Sequence, residues 1–239
     1  MPIHDWTRVR ANRFHAFHQS WTIRIQDALN AGILPEGYFA LAEQKTGGPE
    51  PDVVALSRPN FAEPREVGFA VATHPVQTRL KARSDAARYA ERANQPAVRH
   101  PDCSLVAIIE IVSPGNKDSH RAVDQLARMV VRYLFNGVHV LVIDLFPPNN
   151  RNPQGIHKEI WDRIHDEPYE QPADKPLTLA AYSSGDEIEG HIEPVAVGDT
   201  LMDMPIFLQP DRYVLCPLET TCLSSWNAFP NALKEPLLA

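Results

Sequence analysis

Two carboxylates stand where this chain otherwise places apolar side chains. Residues 105–112 read as a strand, and strand alternation puts Val106, Ile108, Glu110 and Val112 on one face. Glu110 therefore points where its apolar neighbours point. A buried carboxylate is costly unless it is neutral, hydrogen-bonded or held by a cation. Asp52 poses the same problem, since it follows a proline and opens the apolar run DVVALS. Two acids at the ends of adjacent strands can converge, and hard oxygen donors at one place suit Mg²⁺. Glu43, late in the preceding strand, is a candidate third donor. An ion there would lower the pKa of bound water and neutralise a phosphodiester oxygen. The alternative is structural: Asp52 caps a turn, and Glu110 pairs with an arginine or with Lys117, beyond the Ser-Pro-Gly-Asn loop.

The elements that must position these acids are legible in outline. Over residues 13–31, Phe14, Phe17, Trp21, Ile25 and Leu29 recur at helical spacing, and Gly32 sits where a helix stops. Residues 38–44 and 52–57 read as short strands separated by a Gly-Pro turn. Residues 58–83 are Pro-rich and carry no clear pattern, and Ser84 is an N-cap candidate for a helix over 84–93. Residues 97–100 are expected to pair with 105–112 across a PDCS turn. A helix is expected over 119–136, with Val123, Leu126, Val130 and Leu134 as its apolar stripe and Gly137 as its stop. Residues 138–146, VHVLVIDLF, are apolar on both faces, as in a sheet covered on both sides. Asp144 near its end is either a third acid at the same sheet edge or a cap to the FPPNN turn. Later, 154–164 and 217–228 read as helices, and LTLAAY and HIEPVAV as strands. The core order is helix, strand, strand, strand, helix, strand, with the last strand–helix–strand unit a crossover between parallel neighbours.

Composition narrows the classes. Of 239 residues, 44% are hydrophobic and 22% charged, which is ordinary for a globular chain. The formal net charge of −7 argues against a generic polyanion binder. The one basic segment is Arg79, Lys81, Arg83, Arg88, Arg92 and Arg99, read first as a solvated face. Three cysteines, Cys103, Cys216 and Cys222, form no CxxC pair and suit a reducing compartment. No apolar run approaches the ~20 residues of a membrane span, and the start has no signal-peptide core, so the expected setting is cytoplasmic. His15 and His18 are spaced i, i+3 among aromatics, which favours packing over ligation. No glycine-rich phosphate loop is present, and Ser113 lacks a nucleophile elbow.

The strings PDVVAL, IIEIVSPGNK and NGVHVLVIDLFPP resemble the bacterial family called domain of unknown function 4058. So do MPIHDWTRV, LPEGYFALAEQ, NPQGIHKEIW, EPVAVGD and MPIFLQPDRYV, so that the resemblance runs almost end to end. That family is similar in core pattern to the PD-(D/E)XK restriction-endonuclease-like proteins. By motif, the resemblance implies that Asp52 is the acid of the PD element and Glu110 that of the E-x-K element, both binding the metal. It implies a lysine that orients or activates the attacking water.

The chain departs from that pattern at the lysine. Two residues beyond Glu110 stands Val112, and the helix position to which relatives move the lysine holds Met129. Lys117 is the nearest remaining cation. Gln125 shares a helix face with Met129 and Tyr133 and is the other catalytic candidate, against an ordinary exposed glutamine. The expected fold is α/β: a restriction-endonuclease-like mixed β-sheet core flanked by helices, in one domain over 1–239, with a core at about 13–146 and a C-terminal extension over 147–239. The expected function is a Mg²⁺-dependent phosphodiesterase of nuclease type with an incomplete active site. The alternative is a catalytically inactive nuclease-fold binding or scaffold protein. Partners compatible with these readings are nucleic acid and a second copy of the chain, and not a membrane.

Overall fold

The fold is taken from a computed structural model, which describes residues 3–42, 51–57, 76–84 and 104–238. Helix α1 (Ala11–Ala28) buries Phe14, Phe17, Trp21 and Ile25 along one stripe, as the spacing predicts. It runs into a wider turn, Leu29–Ile33, which Gly32 closes at φ 117°, a left-handed conformation that glycine adopts without strain. Strands β1 (Tyr38–Ala42) and β2 (Val53–Ser57) then pair antiparallel. Strand β3 (Leu80–Ser84) comes from the Pro-rich region that showed no pattern. Ser84 is the last residue of this strand, and the rest of the helix expected over 84–93 lies outside the described residues, as does the strand expected at 97–100.

Strand β4 (Ser104–Ile111) leads through a 3-10 turn, Pro114–Lys117, into helix α2 (His120–Phe135) and strand β5 (His139–Asp144). Ser119 caps α2 by accepting from Ala122 N–H, and Val123, Leu126, Val130 and Leu134 are buried as the stripe predicts. Beyond β5 come helix α3 (Gly155–Trp161), strands β6 (Leu177–Ser184) and β7 (Ile188–Val195), the hairpin β8 (Met204–Gln209) and β9 (Arg212–Cys216), and helices α4 (Leu218–Ala228) and α5 (Asn231–Leu238).

Among the described residues seven strands form one mixed sheet in the order β1-β2-β4-β5-β6-β7-β3. Only β4 and β5 are parallel among the described residues; the other pairs are antiparallel. The crossover through α2 thus joins parallel neighbours, while β6 and β7 continue the same sheet beyond β5. Alternation divides the core into two layers. Val54, Ile108, Val140, Val142 and Ala180 pack with α2 and α3. Val53, Ile109, Leu141, Ile143 and Leu179 pack with α1, α4 and the β8–β9 hairpin. Trp21 Nε1 donates to Thr221 Oγ1 at 3.0 Å and ties α1 to α4. The architecture is therefore mixed α/β, a largely antiparallel sheet between helices.

Candidate functional site

Among the described residues five ionisable side chains are buried at one end of the sheet, where β2 begins and β4 and β5 finish. They are Asp52, Glu110, Lys117, Asp144 and His18. Val53 pairs with Ile109, and Asp52, just before β2, is held at that same rung, one residue short of Glu110 along β4. Asp52 N–H donates to Ile109 O at 3.1 Å, and Ile111 N–H donates to Asp52 Oδ2 at 2.8 Å. The carboxylate thus takes the place of a strand carbonyl and completes the ladder past the point where β2 starts. His18, reaching from α1, brings Nε2 to 3.0 Å from the same Oδ2, out of line for an N–H hydrogen bond. The sequence placed His18 among packing aromatics, and helical spacing has no means of showing that it faces an acid 34 residues away.

Glu110 is 1% exposed and lies on the α2–α3 side between Ile108 and Val112, with Val142 opposite on β5. Alternation alone predicted that burial. Glu43, the third expected donor, lies outside the described residues. Among the described residues no three carboxylate, imidazole or thiol side chains are gathered as a ligand set.

Lys117 is buried as well. Its Nζ donates to Asp144 Oδ2 at 2.8 Å and to Phe146 O at 2.6 Å. The other Asp144 oxygen, Oδ1, accepts from Phe146 N–H at 3.1 Å, so this carboxylate both caps the strand end and binds the ammonium. Burial raises the Asp144 carboxyl above its usual range, and the Lys117 charge and these hydrogen bonds oppose the rise. Asn149 Nδ2 donates to Lys117 O at 3.3 Å. The segment after β5 therefore grips Lys117 by both side chain and backbone. Within the turn itself, Ser113 N–H and Oγ–H both donate to Asn116 Oδ1, at 2.8 and 2.6 Å, which fixes the approach of Lys117 to the sheet. Of the two readings open to Asp144 in the sequence, a third acid at the same sheet edge and a cap to the following turn, the cap hydrogen bond is present, the carboxylate is buried at that sheet end, and the lysine is an added partner.

The remaining candidates lie apart. Gln125 is exposed on α2, although Met129 and Tyr133, one and two turns on, are buried. His15 is exposed, one turn from buried His18. Of the basic segment, Arg79 just before β3 pairs with Glu193 of β7, and Lys81 and Arg83 within β3 pair with Glu189, while Arg88, Arg92 and Arg99 lie outside the described residues. Over the same sheet end, Phe14 of α1 meets Phe146 edge-on at 4.7 Å between ring centroids.

No protein-family model, curated protein or solved structure matches the chain. Among the described residues no helix is long and apolar enough to cross a membrane.

Proposed function

We propose that this chain is a divalent-metal-dependent phosphodiesterase of nuclease type with a reduced active site, built on a restriction-endonuclease-like core and related to the domain of unknown function 4058 family. The observation that carries this reading is the burial of Asp52 and Glu110 at adjoining ends of the paired strands β2 and β4. These are the two acids that the motif resemblance assigns to a metal. The order α1, β1, β2, β4, α2, β5, with β4 and β5 parallel, supports the same core.

The donor chemistry fits the ion, because two carboxylates are hard oxygen ligands of the kind Mg²⁺ takes. Asp52 and Glu110 would hold it, with Glu43 as the expected third donor. When bound, Mg²⁺ supplies Lewis-acid stabilisation of a phosphodiester oxygen and a more acidic water. The chain's own residues supply the rest: Ile111 N–H fixes one oxygen of Asp52, and Lys117 brings a cation to the same sheet end. The partner is a nucleic-acid strand, and self-association is compatible with the reading. Cys216 and Cys222 are both free thiols, which suits a cytoplasmic setting.

A second reading, a nuclease-fold scaffold without chemistry, is favoured by one observation. The two positions where relatives carry the lysine, Val112 and Met129, are apolar and buried. Calorimetric titration of Mg²⁺ and Mn²⁺ into wild type and Asp52→Ala/Glu110→Ala separates the two, together with cleavage assays on single- and double-stranded DNA. The enzyme reading expects saturable binding and metal-dependent cleavage by wild type, both lost in the double variant. Equal and negligible binding by the two proteins sinks it.

A further inference from the structure

The parallel register between β4 and β5 places a charge beside Val112 that the β4 sequence itself does not supply. Glu110 pairs with Val142 and Ile111 with Ile143, and Val112 N–H donates to Ile143 O at 2.8 Å. One step further, Asp144 is the neighbour of Val112. Val112 and Glu110 share a face of the sheet, the face that also carries Val140 and Val142. The ammonium of Lys117 sits 2.8 Å from Asp144 Oδ2. A detour through the loop thus delivers a lysine nitrogen to the rung two residues beyond Glu110, arriving from the β5 side.

We infer that Asp144 is a positioning residue, which holds the ammonium of Lys117 at the strand end beside Glu110 so that Lys117 serves as the cation of the site. The inference rests on the phosphodiesterase reading above. Three contacts from one segment define the position: Asp144 Oδ2, Phe146 O and the Asn149 amide on the Lys117 carbonyl. A lysine serving only solubility would keep its head in water, whereas this one is 4% exposed. The cation is oriented without a lysine on β4, and Val112 is free to fill the core.

The test compares Lys117→Met, Asp144→Asn and the double variant. Removing one member leaves the other charge buried, so each single variant is expected to melt roughly 10 °C lower, whereas the double variant returns to within a few degrees of wild type. On double-stranded DNA with Mg²⁺, the folded double variant is expected to lose about 10²–10³ in kcat with KM changed less than about twofold. Lys117→Arg keeps the charge and is expected to recover part of that loss. Should the double variant fail to fold, Asp144→Glu displaces the ammonium by one methylene and is expected to lower kcat in the same way.

A folded double variant that cleaves within about threefold of wild type overturns the inference while leaving Asp52 and Glu110 in place. Wild type that shows no metal-dependent cleavage of either DNA form overturns the function and this inference together.

Discussion

At the scale of single residues, Asp52 has two duties that substitution can separate. Its Oδ2 is the acceptor for Ile111 N–H. Asp52→Ala leaves that amide buried without an acceptor, at an expected cost of about 1–3 kcal/mol in denaturant unfolding. Asp52→Asn keeps an acceptor and is expected to cost less, while still weakening any carboxylate-bound cation. Similar losses from both substitutions would show that the charge, and not the hydrogen bond, holds the strand end. Both acids were legible in the sequence, because an acid in phase with valines and isoleucines is anomalous under strand alternation. The His18–Asp52 contact and the grip of Asp144 on Lys117 were not, since both are set by tertiary placement that local spacing does not encode.

Histidines give a second prediction at this scale. Burial pushes His139, His157 and His191 down from 6.5 to about 4, about 3 and about 4. His139 Nδ1 accepts from Ser184 N–H at 2.9 Å, which places its proton on Nε2. Because the folded values lie below the unfolded one, the unfolded chain binds more protons in the window between them. Stability is fully present above 6.5 and falls as pH drops toward about 4. Asp144, raised by burial, works against that slope. Urea midpoints at pH 7 and pH 4.5 are expected to show the loss, with the three imidazoles still neutral in NMR spectra at pH 5. Imidazole titration near 6.5 in the folded state would contradict it.

At the scale of elements, the junction between α2 and β5 depends on one backbone conformation. Gly137 has φ 81°, its N–H donates to Leu134 O, and Val138 N–H donates to Tyr133 O, so the helix closes and the strand starts within two residues. A Cβ added at Gly137 would meet nothing within 4 Å. Gly137→Ala is therefore expected to cost only the backbone strain, about 1–2 kcal/mol, read as a lowered unfolding midpoint with an unchanged slope. Helices α1 and α2 and strands β2, β4 and β5 were legible because their apolar periods are long or unbroken. Strand β3 was not, since Leu80 and Ala82 are its only apolar residues and Lys81 and Arg83 both answer to Glu189 on β7. The β8–β9 hairpin carried a signal, the Pro210-Asp211 turn between apolar runs, but Pro205 inside β8 masked the strand.

At the scale of the whole molecule, the last third of the chain completes the sheet. Strand β5 is buried at every position, and β6 and β7 cover its second edge, with β3 closing the far side. A chain ended at residue 147 would leave β5 as a long apolar edge and strip α4 and the hairpin from the α1 layer. It is expected to be insoluble or to lack a cooperative unfolding transition, as judged by circular dichroism on heating. A truncated protein that melts cooperatively would show that β1 to β5 are self-sufficient. The mixed architecture was legible from the order of the elements. The contribution of residues 177–195 to the same sheet was not, because antiparallel pairing across the long connection 145–176 leaves no periodic trace.

One backbone proton doubles as a clock on this site. The Ile111 amide can trade its hydrogen for deuterium only in the moments when Asp52 releases it. The uptake rate at that position therefore counts how often the strand end breathes, before any polynucleotide or cation is added.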